Sequence, residues 1–383
     1  MVDLLIEDHN ELREMVRRVA VERVSKRADD IDRLGEYPQD MFELLRELEL
    51  FTLPFDKKYG GIGSILGACI AIEELGRICY NTAYLLVVQW VPFGAILAGG
   101  SPNQQDKYLP GLADGSLRGA FSTTESQSGS DVSGIRTRAI PVDGGYKISG
   151  EKIWCTNSSV ADFIVVAARV EGMSGRGAIN FFIVDRETKG FSIGSPEKKM
   201  GARGIPSCPL YFDEAFVPTD AMLGEPGKGF QIVMEAFNIS RPIIGARGVG
   251  LSQGAIDHAL AFVKNRQAFG EEVVNFQGVR WMLADMHIQT EAARGLVYKA
   301  AAAAADAGVT GKALAKQAAV AKCHASDTAM KVATDAVQLF GAAGISGDYP
   351  INRYFRDAKV LQIVEGTQQV QRNIISRYLV DGY

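Results

Sequence analysis

Apolar residues recur at helical spacing through the first third of the chain. Leu5, Leu12, Met15, Val16, Val19 and Val24 share one face of a helix predicted over 3–33, with charges between them. Pro38 opens a second helix that runs to Leu50 and stops before Pro54. The stretch 57–63, with Gly60, Gly61 and Gly63, reads as a loop. Further helices are expected over 64–77 and 82–98, and a short one over 104–113. The period then changes at Gly119. Val142-Asp143-Gly144-Gly145-Tyr146 is a hairpin signal, and short β-rich runs follow at 163–167, 179–184, 191–193 and 210–212. From Phe230 the helical period returns in long stretches, over 230–266, 276–307 and 311–340, with a last helix after Thr367. Short connections between long helices argue for an antiparallel bundle, and alanine-rich faces let helices approach closely.

The order is therefore α, β, α, in three expected domains: helical 1–118, β 119–228 and a helical bundle 229–383. No strand-linked G-x-G-x-x-G occurs, so a Rossmann domain is not supported. The 383 residues are 47 % hydrophobic and 22 % charged, enough for a large core. A net charge of −4 gives no electrostatic case for nucleic acid. The five cysteines are scattered, without metal-ligand spacing, which fits a reducing compartment and no metal. The beginning lacks a basic-then-apolar signal, and the apolar run 84–98 contains Gln89 and Pro92 and is too short for a bilayer. The expectation is a soluble, cytoplasmic protein with no membrane insertion.

The most informative stretch is Val360-Leu361-Gln362-Ile363-Val364-Glu365-Gly366-Thr367. A carboxylate closes an apolar run. Apolar neighbours strip water from it and raise its pKa, which suits a general base near neutral pH. Gly366 permits a sharp turn and close ligand approach, and Thr367 is a good N-cap for the helix that follows. On spacing alone, an ordinary solvated turn fits these three residues better.

Five stretches in order change that balance. Ala120-Phe121-Ser122-Thr123-Thr124-Glu125 leads into Gly129-Ser130-Asp131. Lys152-Ile153-Trp154-Cys155-Thr156-Asn157 follows. Arg266-Gln267-Ala268-Phe269-Gly270 has Gln277 after it. Gln338-Leu339-Phe340-Gly341 comes next, and Arg356-Asp357-Ala358-Lys359 leads into Glu365-Gly366-Thr367. Together, over essentially the whole chain, they resemble the acyl-CoA dehydrogenase family of flavoproteins. The resemblance implies an N-terminal helical domain, a middle antiparallel β domain and a C-terminal four-helix bundle. It also implies FAD, a homotetramer built as a dimer of dimers, and an electron-transfer flavoprotein as acceptor.

The implied reaction removes the α-proton of an acyl-CoA thioester while the β-hydride passes to flavin N5, giving a trans-2-enoyl-CoA. The resemblance puts Glu365 at the base. Relatives that carry the base on the first bundle helix would have it at Ser240, which lacks a carboxylate. Phe121, Thr123, Thr124, Trp154 and Thr156 match residues around the flavin ring, although Phe121 is equally at home as a strand residue. Ser130 matches a position near the FAD pyrophosphate and CoA. Arg266, Phe269 and Gln277 match residues lent to a neighbouring subunit's FAD, and Gln338 and Gly341 a turn near the adenine half. Gly366, Thr367 and Gln369 match FAD contacts after the base, with Gly366 also beside the substrate. Asn238 and Arg241 match positions that hold CoA.

The chain departs from the family at Ser126, Gln127, Cys155, Ala342 and Val364. Val364 trims bulk beside Glu365, Trp90 adds bulk on the helix expected to line the acyl pocket, and 81–100 contains no charge. The acyl group is therefore expected to be uncharged and apolar, branched or cyclic rather than long and straight. An O2-using flavin oxidase or monooxygenase on the same fold is the competing reading. Glu365 argues against it, because such relatives generally lack that carboxylate.

Overall fold

The computed structural model describes residues 7–306, 309 and 311–381. The first helical layer contains α1 (Glu7–Val19) and α2 (Ser25–Leu34), joined by a π-helical turn, Ala20–Val24. The beginning of the helix expected from residue 3 lies outside the described residues. The wide turn puts Val16, Ala20, Val24, Ala28 and Ile31 on one buried stripe, as the apolar spacing requires. Next come α3 (Gln39–Glu47), α4 (Ile65–Ile78), α5 (Tyr80–Gly99) and α6 (Pro102–Asp114). Ser64 caps α4 by accepting from the Gly67 N–H at 2.9 Å, and Ser101 with Gln104 forms a capping box on α6.

Among the described residues α5 is the one helix long and apolar enough to cross a membrane, and 83 % of that stretch is buried inside the fold. It packs between α4, α7 (Gly229–Asn265) and the first strand, as a core helix does. Its polar residues are used internally. Gln89 donates to the Leu117 carbonyl and accepts from the Gly119 N–H, which pins the helix to the start of the sheet.

The seven-stranded sheet comprises β1 (Gly119–Ser122), β2 (Arg138–Val142), β3 (Gly145–Thr156), β4 (Phe163–Val170), β5 (Ile179–Asp185), β6 (Phe191–Ile193) and β7 (Ser207–Pro218). The Asp143-Gly144 hairpin forms where its sequence predicts, with Val142 opposite Gly145. The sheet is mixed rather than wholly antiparallel: β4 runs parallel to both β1 and β2. Its apolar inner strands are closed on the helical side by Phe121, Phe163, Val165, Phe181 and Ile183, which join the main core.

Then α7 runs into a small hairpin, β8 (Gln267–Ala268) with β9 (Glu271–Glu272), followed by α8 (Gln277–Ala305) and α9 (Gly311–Phe340). The predicted end of α8 at 307 falls outside the described residues. A short α10 (Ala342–Ile345), then α11 (Ile351–Leu361) and α12 (Gln368–Val380) finish the chain. The α8–α9 pair and α7 pack as the long members of the bundle.

Candidate active site

Glu365 sits in the turn 362–367 between α11 and α12, and its backbone is left-handed, with φ at +57°. A glutamate adopts that region only when its surroundings impose it. Here they do. The N–H groups of Ile363 and Val364 both donate to the Val360 carbonyl at 3.0 and 3.1 Å. Beyond the turn, the Gln368 N–H donates to the Gln362 carbonyl at 3.1 Å, and Thr367 caps α12 by accepting from Val370. The buried Gln371 side chain then donates to the carbonyls of Glu365 and Gly366, both at 3.1 Å. From α9, Lys322 donates to the Gly366 carbonyl at 2.8 Å and to Gln368 Oε1 at 3.2 Å, while Gln368 donates to the Cys323 carbonyl. Gly366 completes the reversal at φ +88°.

Glu365 Oε2 is buried and has no hydrogen-bond partner among the described residues. Burial raises the Glu365 pKa above the ordinary carboxylate value. The charges of Arg241, Arg247 and Lys322, and the Ser240 hydroxyl, pull it back. Three cations around one carboxylate thus oppose the effect of lost water.

The opposing wall is α7. Asn238, Ser240 and Arg241 are buried there. Pro242 lacks an N–H, so the carbonyl of Asn238 loses its helical donor at this level. Arg241 donates to Asn238 Oδ1 at 3.0 Å, and burial, countered by Glu365, brings its guanidinium down to about 10.

A second group gathers on the sheet. The Ile153 N–H donates to the Thr124 carbonyl at 3.0 Å, Lys152 donates to the Thr123 carbonyl at 3.2 Å, and the Cys155 thiol donates to the Phe121 carbonyl at 3.7 Å. These bonds bring Phe121, Thr123 and Thr124 beside Trp154 and Thr156. The β3–β7 register shifts between Lys152 and Cys155, and Trp154 at this irregularity takes φ +59°. The bulge turns the indole outward, so this large ring is 50 % exposed. Thr156 is half-buried, 3.4 Å from the Ser207 hydroxyl. An apolar slab rimmed by threonine hydroxyls suits a flat heteroaromatic ring with polar edges. Phe121 stacks on Phe181 and meets Phe237 of α7 edge-on at 5.6 Å, so it joins sheet to bundle as a core residue.

Beneath the slab lies a buried ion pair, Lys152 Nζ to Glu125 Oε1 at 2.7 Å. Glu125 also accepts from the N–H groups of Arg136 and Thr137 and from Gln127. Burial raises the Glu125 pKa, but Lys152 and these donors outweigh it and bring the carboxyl down to about 2. The amine moves the other way, down to about 8, because burial outweighs the carboxylate. Both groups are charged at neutral pH. Ser130, further along the same loop, is exposed.

The remaining predicted residues lie elsewhere. Arg266, Phe269 and Gln277 are exposed on the β8–β9 hairpin and the beginning of α8, with Phe269 98 % exposed. Gln338 and Gly341 are exposed at the end of α9, where Phe340 stacks on Phe262 at 4.2 Å. Gln369 is exposed on α12. Three residues of the site escaped sequence reasoning: Arg247, Lys322 and Gln371. The first carried a signal, Arg247 being the lone Lys or Arg between Arg241 and Lys264 in a stretch of small and apolar residues.

Comparison with known proteins agrees along the whole chain. Residues 6–116, 120–215 and 227–380 match the acyl-CoA dehydrogenase N-terminal, middle and C-terminal domain families. The cyclohexane-1-carbonyl-CoA dehydrogenase of Geobacter metallireducens is 39 % identical, over 96 % of each chain. The butyryl-CoA dehydrogenase structure from Megasphaera elsdenii superposes with a TM-score of 0.93 at 35 % identity, covering 98 % of this chain and 99 % of the other. A structure described as the electron transferring flavoprotein of Acidaminococcus fermentans gives 0.94 at 35 % identity, covering 99 % and 100 %.

Proposed function

The chain belongs to the acyl-CoA dehydrogenase family and carries its FAD-dependent oxidation of acyl-CoA thioesters, and from that premise we propose that Glu365 is the base that takes the α-proton. The observation that carries this reading is the buried, unpartnered Oε2 on a turn locked by Lys322 and Gln371. A carboxylate oxygen so placed has lost water and gained no competing donor, so it is free for a substrate C–H. The locked backbone fixes its direction, which spares the cost of ordering it during the reaction. Along the same turn, the Glu365 N–H would donate to the thioester oxygen as charge develops there. FAD, when bound, accepts the hydride that leaves the β-carbon. Trp154, Thr156, Thr123 and Thr124 would hold its ring, with Gly366, Thr367 and Gln369 as further contacts. Asn238, Arg241 and Ser130 would hold the CoA moiety.

The acyl group is compact, branched or cyclic. The cyclohexane-1-carbonyl-CoA dehydrogenase among the relatives supports this, as does the uncharged wall of α5. The bulk expected from Trp90 is otherwise engaged: its indole N–H donates to the Phe51 carbonyl at 2.9 Å, committing the ring to packing within the N-terminal helices. Electrons then pass to an electron-transfer flavoprotein, a partner suggested by the Acidaminococcus match. Exposed Phe269, Trp281 and Ile288 on the hairpin and α8 suit burial in a homotetramer, in which Arg266, Phe269, Gln277, Gln338 and Gly341 would reach a neighbour's FAD. Five free, buried cysteines fit the cytoplasm.

The test is Glu365→Gln. The variant should keep its flavin and lose α-proton exchange with solvent; retained exchange would assign the base elsewhere. Anaerobic bleaching by acyl-CoA, without peroxide formation in air, separates a dehydrogenase from an oxidase.

A further inference from the structure

Arg247 lies on α7, less than two turns beyond Arg241, and it is completely buried. Its Nε and both terminal nitrogens find no acceptor among the described residues. The guanidinium carbon stands 3.7 Å from the centre of the Tyr84 ring and 4.3 Å from that of Tyr80, both on α5. Aromatic faces attract a cation but accept none of its directed N–H groups in the way an oxygen does. The Tyr80 hydroxyl, next to it, is likewise buried without a partner.

The contrast with other buried cations is clear. Arg353 is paired with Asp29 and Lys152 with Glu125, Arg241 donates to Asn238 Oδ1, and Lys322 donates to the Gly366 carbonyl and Gln368 Oε1. A guanidinium stripped of water and left without acceptors is strongly disfavoured, so a fold retains one where something else supplies them. The position says what that something is. The Arg247 guanidinium reaches from α7 to two rings of α5, the helix expected to line the acyl group, and its charge acts on Glu365.

We infer that Arg247, assisted by the Tyr80 hydroxyl, recognises a hydrogen-bond-accepting oxygen on the acyl group, beyond the two carbons that react. This rests on the acyl-CoA reading above and refines it. The pocket is apolar along α5, but α7 brings one donor cluster to it. Arginine serves a carboxylate through two parallel bonds and a neutral oxygen through one. The shared requirement is an acceptor oxygen, and charge is what the experiment resolves.

The experiment uses the purified FAD-loaded enzyme and three thioesters of equal acyl length: pentanoyl-CoA, 4-oxopentanoyl-CoA and glutaryl-CoA. Flavin bleaching and kcat/KM are read for each. One of the oxygenated thioesters should exceed pentanoyl-CoA by about tenfold or more, the value of a hydrogen bond to a charged donor. A preference for glutaryl-CoA identifies a carboxylate; a preference for the 4-oxo compound identifies a neutral oxygen. In Arg247→Met the ratio should collapse toward one, and Tyr80→Phe, which keeps the ring, should reduce it by roughly fivefold. Met replaces an unpaired cation with an apolar chain, so folding is expected to hold, and thermal midpoints of the flavin-loaded variants check it. Bleaching by pentanoyl-CoA with no oxygenated preference, or a preference that survives Arg247→Met, overturns the assignment and leaves Glu365 as base intact. No bleaching by any of the three also overturns the assignment, and bleaching by cyclohexane-1-carbonyl-CoA then tests the dehydrogenase reading separately.

Discussion

Lys322 donates from the middle of α9 to the carbonyl of Gly366, 2.8 Å away, and so grips the residue that follows the proposed base. The amine is completely buried, and burial, countered by the nearby Glu365, lowers it to about 8. Lys322→Met relieves a desolvated charge, orphans Gln368 Oε1 and leaves the Gly366 carbonyl with Gln371 as its remaining donor. These effects oppose each other, so stability should change by no more than about 2 kcal/mol. Activity should fall far more, on the order of 100-fold, because Glu365 loses the contact that aims it. Thermal melts beside steady-state rates check the split. A large loss of stability with normal turnover in the surviving enzyme would mean that Lys322 merely holds the helices together.

The pH profile follows from the surroundings of Glu365. Its pKa is raised by burial and held back by Arg241, Arg247 and Lys322. A base must be ionised, so kcat/KM should be lost as pH falls through this raised value and should plateau above it. Removing an opposing cation moves the acid limb upward: Lys322→Met should reach its plateau at a higher pH than the parent. An acid limb that stays where it was would show that Lys322 does not act on the titrating group.

Gly366 tests the turn itself. A Cβ at this position would come within 2.7 Å of Gln371 Nε2, the amide that holds the Glu365 and Gly366 carbonyls, and φ is +88°. Gly366→Ala therefore strains the backbone and displaces a clamp. A loss of about 1–3 kcal/mol is expected, with kcat reduced more than KM is raised. Gln371→Ala, which leaves Gly366 alone, should reproduce part of the kinetic defect. Equal melting points for Gly366→Ala and the parent would show that the turn relaxes freely.

The helices and the order of domains were legible because their apolar periods are long and uninterrupted. α7 was expected over 230–266 and spans Gly229–Asn265; Thr367 was expected to cap the last helix and does. α11 was not expected, although Ile351, Tyr354, Ala358 and Leu361 supply a buried stripe, because the continuous apolar run that ends in Glu365 masks the helical period before it. The mixed sheet was not legible, since its parallel pairing sets Gly119 beside Phe163 and Arg138 beside Arg169, partners far apart in sequence. The buried cation of α7 was not legible for a related reason. The reading of 81–100 considered one helix, and the cation arrives from another. Arg247 and Tyr84 are distant along the chain, and only the packing of α5 on α7 brings them within 3.7 Å.

The Lys152–Glu125 pair gives the most direct test of the flavin-side scaffold. Both side chains are buried, and Lys152 also donates to the Thr123 carbonyl, so one ammonium ties the 121–125 strand end to β3 beneath Trp154. Lys152→Met leaves the Glu125 carboxylate with its amide donors but without its counter-charge, an uncompensated buried anion that costs about 3–5 kcal/mol. Glu125→Gln alone strands the ammonium. The double variant removes both charges, while the amide oxygen introduced by Glu125→Gln can still accept from one of the Arg136 and Thr137 N–H groups, so it should recover part of the loss. Retained flavin absorbance and thermal melts across the four proteins close the cycle. Losses that simply add would show that the two charges stabilise the loop independently, and that Trp154 and Thr123 are not held in register by this bridge.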